Sequence, residues 1–294
     1  MLQQFASAWV RGLWLLSSCL ASGRAFAENT CNTTTGLCQS LETLVTSDSS
    51  SLDAEGRRTL AAGYRALDLF GHGDLAAGFF TCRSPSNRSV MLVGEQGRHF
   101  GEVRASDVVA VDIYTGNVLD EYVGRPVSWG ALQVASAVYR RHAHINAFIH
   151  SHPKDAMALA ALKEPRLMMM TEPSFVFYER VAYEGADFFF GDEYSSKVAA
   201  AFDGGKFLLH IRQHAIMVAG KDVPQAFYRA YLFDQAAGLQ LRAFASGQEL
   251  REATREESIW HRRSCEEWAG GFDGSLEWPG ILRRLARESP DFAS

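Results

Sequence analysis

Apolar residues recur at three- and four-residue spacing along "DAEGRRTLAAGYRALDLF" (53–70), placing Leu60, Tyr64, Leu67 and Phe70 on one helix face. "GHGDLAAG" (71–78) breaks that period. Short runs rich in β-branched and aromatic residues follow, "GFFTCRS" (78–84), "SVMLVGE" (89–95) and "VVAVDIY" (108–114), the last closed by the turn "TGN". They predict strands. "GALQVASAVYRRHA" (130–143) returns to a helical period and runs into a strand, "INAFIHSH" (145–152), after which "PKDAMALAALK" (153–163) is helical again. "KFLLHIRQHAIMVAGK" (206–221) holds two short strands. In "KDVPQAFYRAYLFDQAAGLQLRAFASG" (221–247), Asp222 suits a helix cap and Pro224 the first turn. Ala226, Ala230, Phe233, Ala237 and Leu241 form the apolar stripe of that helix. Helices alternating with strands predict an α/β fold, a sheet covered on both faces in one domain of roughly two hundred residues.

The chain ends read differently. Met1 to Arg11 is short with a basic end, and "GLWLLSSCLASG" (12–23) is apolar but too short to span a bilayer. Ala25-Phe26-Ala27 supplies the small-x-small pattern of a cleavage site, so 1–27 is expected to be a signal peptide directing the chain to the secretory pathway. An organellar transit peptide is the rival, acidic residues being absent before Glu28, and a cytoplasmic protein results if the segment is no signal. A polar linker is expected over 28–52, the folded domain over 53–247 and a charged, Trp-dotted helical tail over 248–294. Cleavage would leave Cys31, Cys38, Cys82 and Cys265, an even number that permits disulfides in an oxidising compartment. The 294 residues are 47% hydrophobic and 21% charged with a formal net charge of -5. That balance gives no electrostatic reason to expect nucleic acid or an anionic membrane as partner, and no stretch is long and apolar enough to span a bilayer.

The candidate chemistry lies in "NAFIHSHP" (146–153). Residues i and i+2 of a strand point to the same side, so His150 and His152 project together at a spacing that lets both imidazoles reach one divalent ion. His214, between two apolar strand pieces, is a third candidate. Three neutral imidazoles suit zinc or another transition ion such as iron(II) better than calcium or magnesium. His142 and His144, at a helix-to-strand turn, are expected at the surface; His72, His99, His210 and His261 lack partners by spacing.

The order of "RRTLAAGYRAL", "GFFTCRSP", "VRASDVVAVDIYTGNVL", "AVYRRHAHINAFIHSHPKDAMAL", "FVFYERVAYEG" and "HIRQHAIMVAGKDVPQAFYRAYLFDQAAGLQL" resembles the class II aldolase/adducin family. The resemblance implies a three-layer α/β/α fold with a largely antiparallel central sheet. It also implies a homotetramer with active sites at subunit boundaries, a small-molecule substrate, and metal ligation by His150, His152 and His214.

The resemblance also has gaps. Family aldolases move a proton with a glutamate whose place falls on Ala131, and alanine carries no proton. The phosphate-cradling "GNxS" loop falls on Gly78-Phe79-Phe80-Thr81, and a neighbouring Ser-Ser pair falls on Trp129-Gly130. Phe79, Phe80 and Trp129 are therefore expected in the substrate pocket, where aromatics would strip water from a phosphate without replacing its hydrogen bonds. A branch of the family, including oxygenases that shorten prenylated 4-hydroxyphenylpyruvate, lacks the same glutamate, and the chain looks like that adducin-like branch. Tyr178, Glu179 and Tyr183 are the expected stand-ins for the proton carrier, weighed against simple packing and salt-bridge roles. Three functions stay open: a metal-dependent lyase on a non-phosphorylated oxo substrate, zinc being the first expected metal; an iron(II) oxygenase on a 2-oxo acid; and a non-catalytic scaffold of the adducin kind.

Overall fold

Strand side chains are divided between two apolar cores, and that division sets the architecture. In β1 (Phe79–Arg83), Phe80 and Cys82 enter one core and Phe79 the other; in β2 (Val90–Gly94), Leu92 enters the first and Met91 and Val93 the second. A sheet apolar on both faces must be covered on both. The computed structural model describes residues 49–184, 191–267 and 272–294, so the expected signal peptide, nearly all of the polar linker, and Cys31 and Cys38 lie outside the described residues.

Seven strands form one sheet in the order β3-β2-β1-β4-β7-β6-β5, with β3 at Val108–Asp112, β4 at Ala147–Ser151, β5 at Val181–Glu184, β6 at Leu208–Ile211 and β7 at Ile216–Gly220. Every neighbouring pair is antiparallel except β5 and β6. On one face, α1 (Ser49–Leu69), α3 (Lys154–Ala160), α4 (Glu172–Phe175) and α6 (Val223–Ala245) close the first core. On the other, α2 (Ser136–Arg141) and α5 (Asp192–Ala201) close the second. The result is the expected three-layer α/β/α fold with a largely antiparallel sheet. Past α6 come α7 (Arg255–Glu267) and α8 (Trp278–Glu288), and Trp278, Ile281, Leu285 and Phe292 are buried in the first core.

Two local expectations are corrected. The helix predicted over 130–143 is a five-residue π turn, Ala131–Ala135, leading into the short α2. Such wide turns recur beside functional cavities. His142 is buried, not superficial: it ends α2, and its Nε2 lies 2.8 Å from the Ala199 carbonyl of α5.

Tyr64 ties α1 to the sheet. Its hydroxyl donates to the Phe80 carbonyl at 2.8 Å and accepts from the amides of Phe80 (2.8 Å) and Gly94 (3.2 Å). Gly94 is required there, because a Cβ would lie 2.8 Å from the tyrosine ring. Buried Arg65, the next residue, donates to the Val103 carbonyl at 2.9 Å and pairs with Asp291 at 2.9 Å, anchoring the C-terminal segment. Asp222 caps α6 as expected, accepting from the Gln225 amide at 2.9 Å.

His72 follows α1, is 1% exposed, and neither ring nitrogen has a partner among the described residues. Burial draws its pKa from 6.5 to about 4. Below pH 6.5 the unfolded chain binds a proton that the folded protein refuses, so stability is full above that pH and falls as pH drops towards 4. Replacement of His72 by Leu should make the acid loss shallower by about 2 kcal/mol between pH 7 and about 4.5, measured by urea unfolding. Tyr64→Phe strands buried backbone groups and should lower stability by about 2–3 kcal/mol in the same assay.

Candidate metal centre

β4 is central in the sheet, and its last residues deliver the histidines. His150 pairs with Phe79 of β1 on one side and Met217 of β7 on the other, on the face of the second core. The chain leaves the sheet through His152 and Pro153 into α3. His214 lies in the tight turn joining β6 to β7, next to Gln213, whose backbone is left-handed with φ of 54°. The Gln213 amide donates to the Ala160 carbonyl at 3.0 Å, which pins that turn against α3. Gly78 allows β1 to begin close to His150, since a Cβ there would lie 2.5 Å from the His150 carbonyl oxygen.

The three rings converge, with centroids 4.9 to 5.2 Å apart, and one nitrogen from each lies within 4.8 Å of the others. The Nε2 atoms of His152 and His214 are 3.3 Å apart. Two nitrogens bound tetrahedrally to one zinc ion are separated by about 3.3 Å, so this pair already stands at ligand spacing. His150 Nδ1 lies 3.3 Å from the Ile216 carbonyl, a partner that fixes the tautomer and orientation of that ring. His152 Nδ1 lies 3.3 Å from a carboxylate oxygen of Asp74, within ion-pair distance but without hydrogen-bond geometry. Burial, then the neighbouring imidazoles, draws His150 down to about 3 and His214 to about 4; burial also lowers His152, against Asp74. All three rings are therefore neutral at physiological pH, as ligation requires.

The imidazoles open into a cavity of 320 Å³ whose other walls include Phe79, Trp129, Val134, Tyr194 and Met217. Phe79 and Trp129 line this cavity beside the imidazoles. Phe80 does not: strand alternation turns it to the opposite face, fully buried in the first core. The Thr81 hydroxyl is also turned inward, 2.8 Å from that of Tyr139. Neither Tyr178 nor Tyr183 lines the cavity. Tyr178 packs on the first core, and Tyr183, on edge strand β5, accepts from the Leu167 amide at 3.0 Å. Ala131 is wholly buried in the π turn. Asp74 and Tyr194 were missed by the sequence reading, because neither has a spacing relation to the histidines. His210, set aside earlier, is a core residue, its ring nitrogens 3.1 and 3.0 Å from the carbonyls of Pro165 and Ala156.

The chain is similar to known proteins along most of its length. The profile described as "Class II Aldolase and Adducin N-terminal domain" matches residues 58–241. A protein of Caulobacter vibrioides, whose name assigns it provisionally to the class 2 aldolases, is 28% identical over 246 residues, covering 83% of this chain and 94% of that one. Human beta-adducin is 24% identical over 246 residues, 80% of this chain but 33% of the adducin. The crystal structure of an aldolase II superfamily protein from Pseudomonas syringae superposes with a TM-score of 0.75 at 26% identity, covering 83% of this chain and 96% of that one.

His150→Ala, His152→Ala and His214→Ala should each remove about one equivalent of bound metal, measured by elemental analysis of the purified protein. Unchanged metal content would rule the centre out. Asp74→Asn removes the negative charge beside His152 and should retain the metal but weaken it about tenfold in chelator competition.

Proposed function

Because this chain belongs to the class II aldolase and adducin family, we propose that it is a divalent-metal-dependent lyase that makes or breaks a carbon–carbon bond in a non-phosphorylated oxo substrate. The observation that carries this reading is the cavity wall. Its described lining residues are three imidazoles, aromatic and aliphatic side chains, a serine and two glycines, with no lysine, arginine or carboxylate. No lysine or arginine of the described lining would receive a phosphate dianion, and Phe79 and Trp129 would desolvate the oxygens that a bound metal ion does not reach. A flat, apolar oxo compound fits the same walls.

His150, His152 and His214 would hold the ion, zinc first and iron(II) second, which when bound supplies a Lewis acid for a carbonyl oxygen. The chain's own residues do the rest. The Ile216 carbonyl orients His150 and Asp74 sets a negative charge beside His152, while Phe79, Trp129 and Met217 exclude water. Tyr194, on α5, lines the cavity and is assigned the proton-donor role by its position, although burial raises its pKa and makes it a weaker acid. It takes the role the sequence reading gave to Tyr178 and Tyr183. Assembly into a homotetramer is part of this proposal, supported by the family resemblance.

The adducin match favours a second reading, a scaffold without catalysis, and Ala131 in the glutamate's place supports it. Metal-loaded protein assayed against a panel of 2-oxo and β-oxo acids separates the two. Turnover that falls about 100-fold or more in Tyr194→Phe, with metal content unchanged, is expected of the lyase. Stoichiometric metal with no turnover of any panel member would favour the scaffold. Oxygen uptake with iron(II) but not zinc would identify an oxygenase. Ala131→Glu should create no sugar-phosphate aldolase activity, and robust turnover of fuculose phosphate by that variant would overturn the reading of the walls.

A further inference from the structure

A second cavity, of 350 Å³, opens at the end of the sheet away from the imidazoles. β4 and β7 pair from Ala147 and Gly220 at one end to Ser151 and Ile216 at the other. The second cavity is bordered by Ile145, Gly220 and Lys221, about 13 Å along the strands from the first. Its wall carries Arg180, Lys206, Lys221, Arg229 and Arg262 against one carboxylate, Glu266.

The available carboxylates are already engaged. Glu266 accepts from Arg180 and Arg262, each at 2.9 Å, and Asp273 pairs with Lys221. Arg229 is left with a main-chain partner, the Ala219 carbonyl at 2.7 Å, and with the ring of Phe207, 3.8 Å below its guanidinium. No carboxylate lies within ion-pair distance of it among the described residues. Burial draws Arg229 down to about 9 against the carboxylates of Asp222 and Asp273, and the nearby Arg180 acts in the same direction as burial. Arg262 Nε is buried without a hydrogen-bond partner, and Lys206 makes no ion pair among the described residues. Like charges gathered around a partly desolvated cavity repel one another, and a bound anion relieves that repulsion. A guanidinium held over a ring and by a main-chain carbonyl is also preorganised for an oxyanion, since little side-chain freedom remains to be lost.

We infer that this second cavity binds a small polyanion, a metabolite bearing phosphoryl or paired carboxylate groups, through Arg229, Arg262 and Lys206. The site is independent of the imidazole centre. It is built from the β4–β7 end of the sheet, α6 and α7, and shares no lining residue with the first cavity.

Pyrophosphate and citrate, titrated calorimetrically into the full chain at neutral pH, test it. Saturable binding of about one anion per chain is expected, with a raised melting temperature. Preference for pyrophosphate identifies a phosphoryl ligand and preference for citrate a carboxylate one. Lys206→Ala and Arg262→Ala should each weaken binding about tenfold or more, while His152→Ala leaves it unchanged and so excludes chelation at the imidazoles. Arg229→Gln should abolish it; should that variant fail to fold, the other two substitutions decide the matter. No saturation by either anion up to about 10 mM, affinity indifferent to both substitutions, or binding lost in His152→Ala would each overturn the inference.

Discussion

The hydrogen-bonded register of β4 between β1 and β7 is the constraint on which the imidazole centre rests. Phe79, His150 and Met217 are cross-strand neighbours in that register. Side chains alternate with period two, so a slip of one residue would swing His150 into the first core and Ile149 into the cavity. Several features hold the register. Phe148 and Ile149 each have no exposed surface and lie in opposite cores, which makes a slip apolar-unfavourable on neither side but steric on both. What a slip could not preserve is the histidine itself, whose Nδ1 must meet the Ile216 carbonyl. Tyr64 adds a fixed point at the start of β1, binding both backbone groups of Phe80.

Polar groups are distributed unevenly over this frame. Tyr64 and Arg65 are buried and fully engaged, one with strand backbone and the other with a loop carbonyl and a carboxylate. Bonds of that kind favour a single arrangement of α1 on the sheet, because leaving either group unpaired is expensive. The imidazoles are treated differently. The Ile216 carbonyl orients His150, Asp74 lies beside His152, and burial keeps the rings neutral while the Nε2 atoms of His152 and His214 face one another at 3.3 Å. A protein can retain such a cluster where a cation can complete it.

Much of this was legible in the chain. The alternating strands, the capped α6 and the i, i+2 histidines are local patterns, and periodicity places them without knowledge of the fold. His214 was suggested by its place between two strands and tied to the pair by family resemblance. What local pattern could not supply was which strand residue faces which core, and which distant turn arrives behind a ligand. Phe80 was misplaced because two adjacent aromatics cannot both face one cavity. Asp74 escaped notice because only the fold brings the Gly-rich turn after α1 against His152. Tyr194 sits on α5, across a stretch of chain with no period linking it to β4.

The floor and the walls of the first cavity answer different questions. Three imidazoles state which class of cation could be held, and they are compatible with any substrate whose oxygen can approach it. Phe79, Trp129, Val134 and Met217 state what else can enter. Discrimination against a charged substrate by an apolar wall is strong, because the desolvation penalty of an ion far exceeds what dispersion returns. Ala131, wholly buried in the second core, and the aromatics around the cavity belong to one apolar surround. A carboxylate placed at Ala131 would be driven towards its neutral form unless an ion held by the imidazoles kept it charged. The walls and the imidazoles thus act together, the walls disfavouring any charged group that such an ion does not itself neutralise.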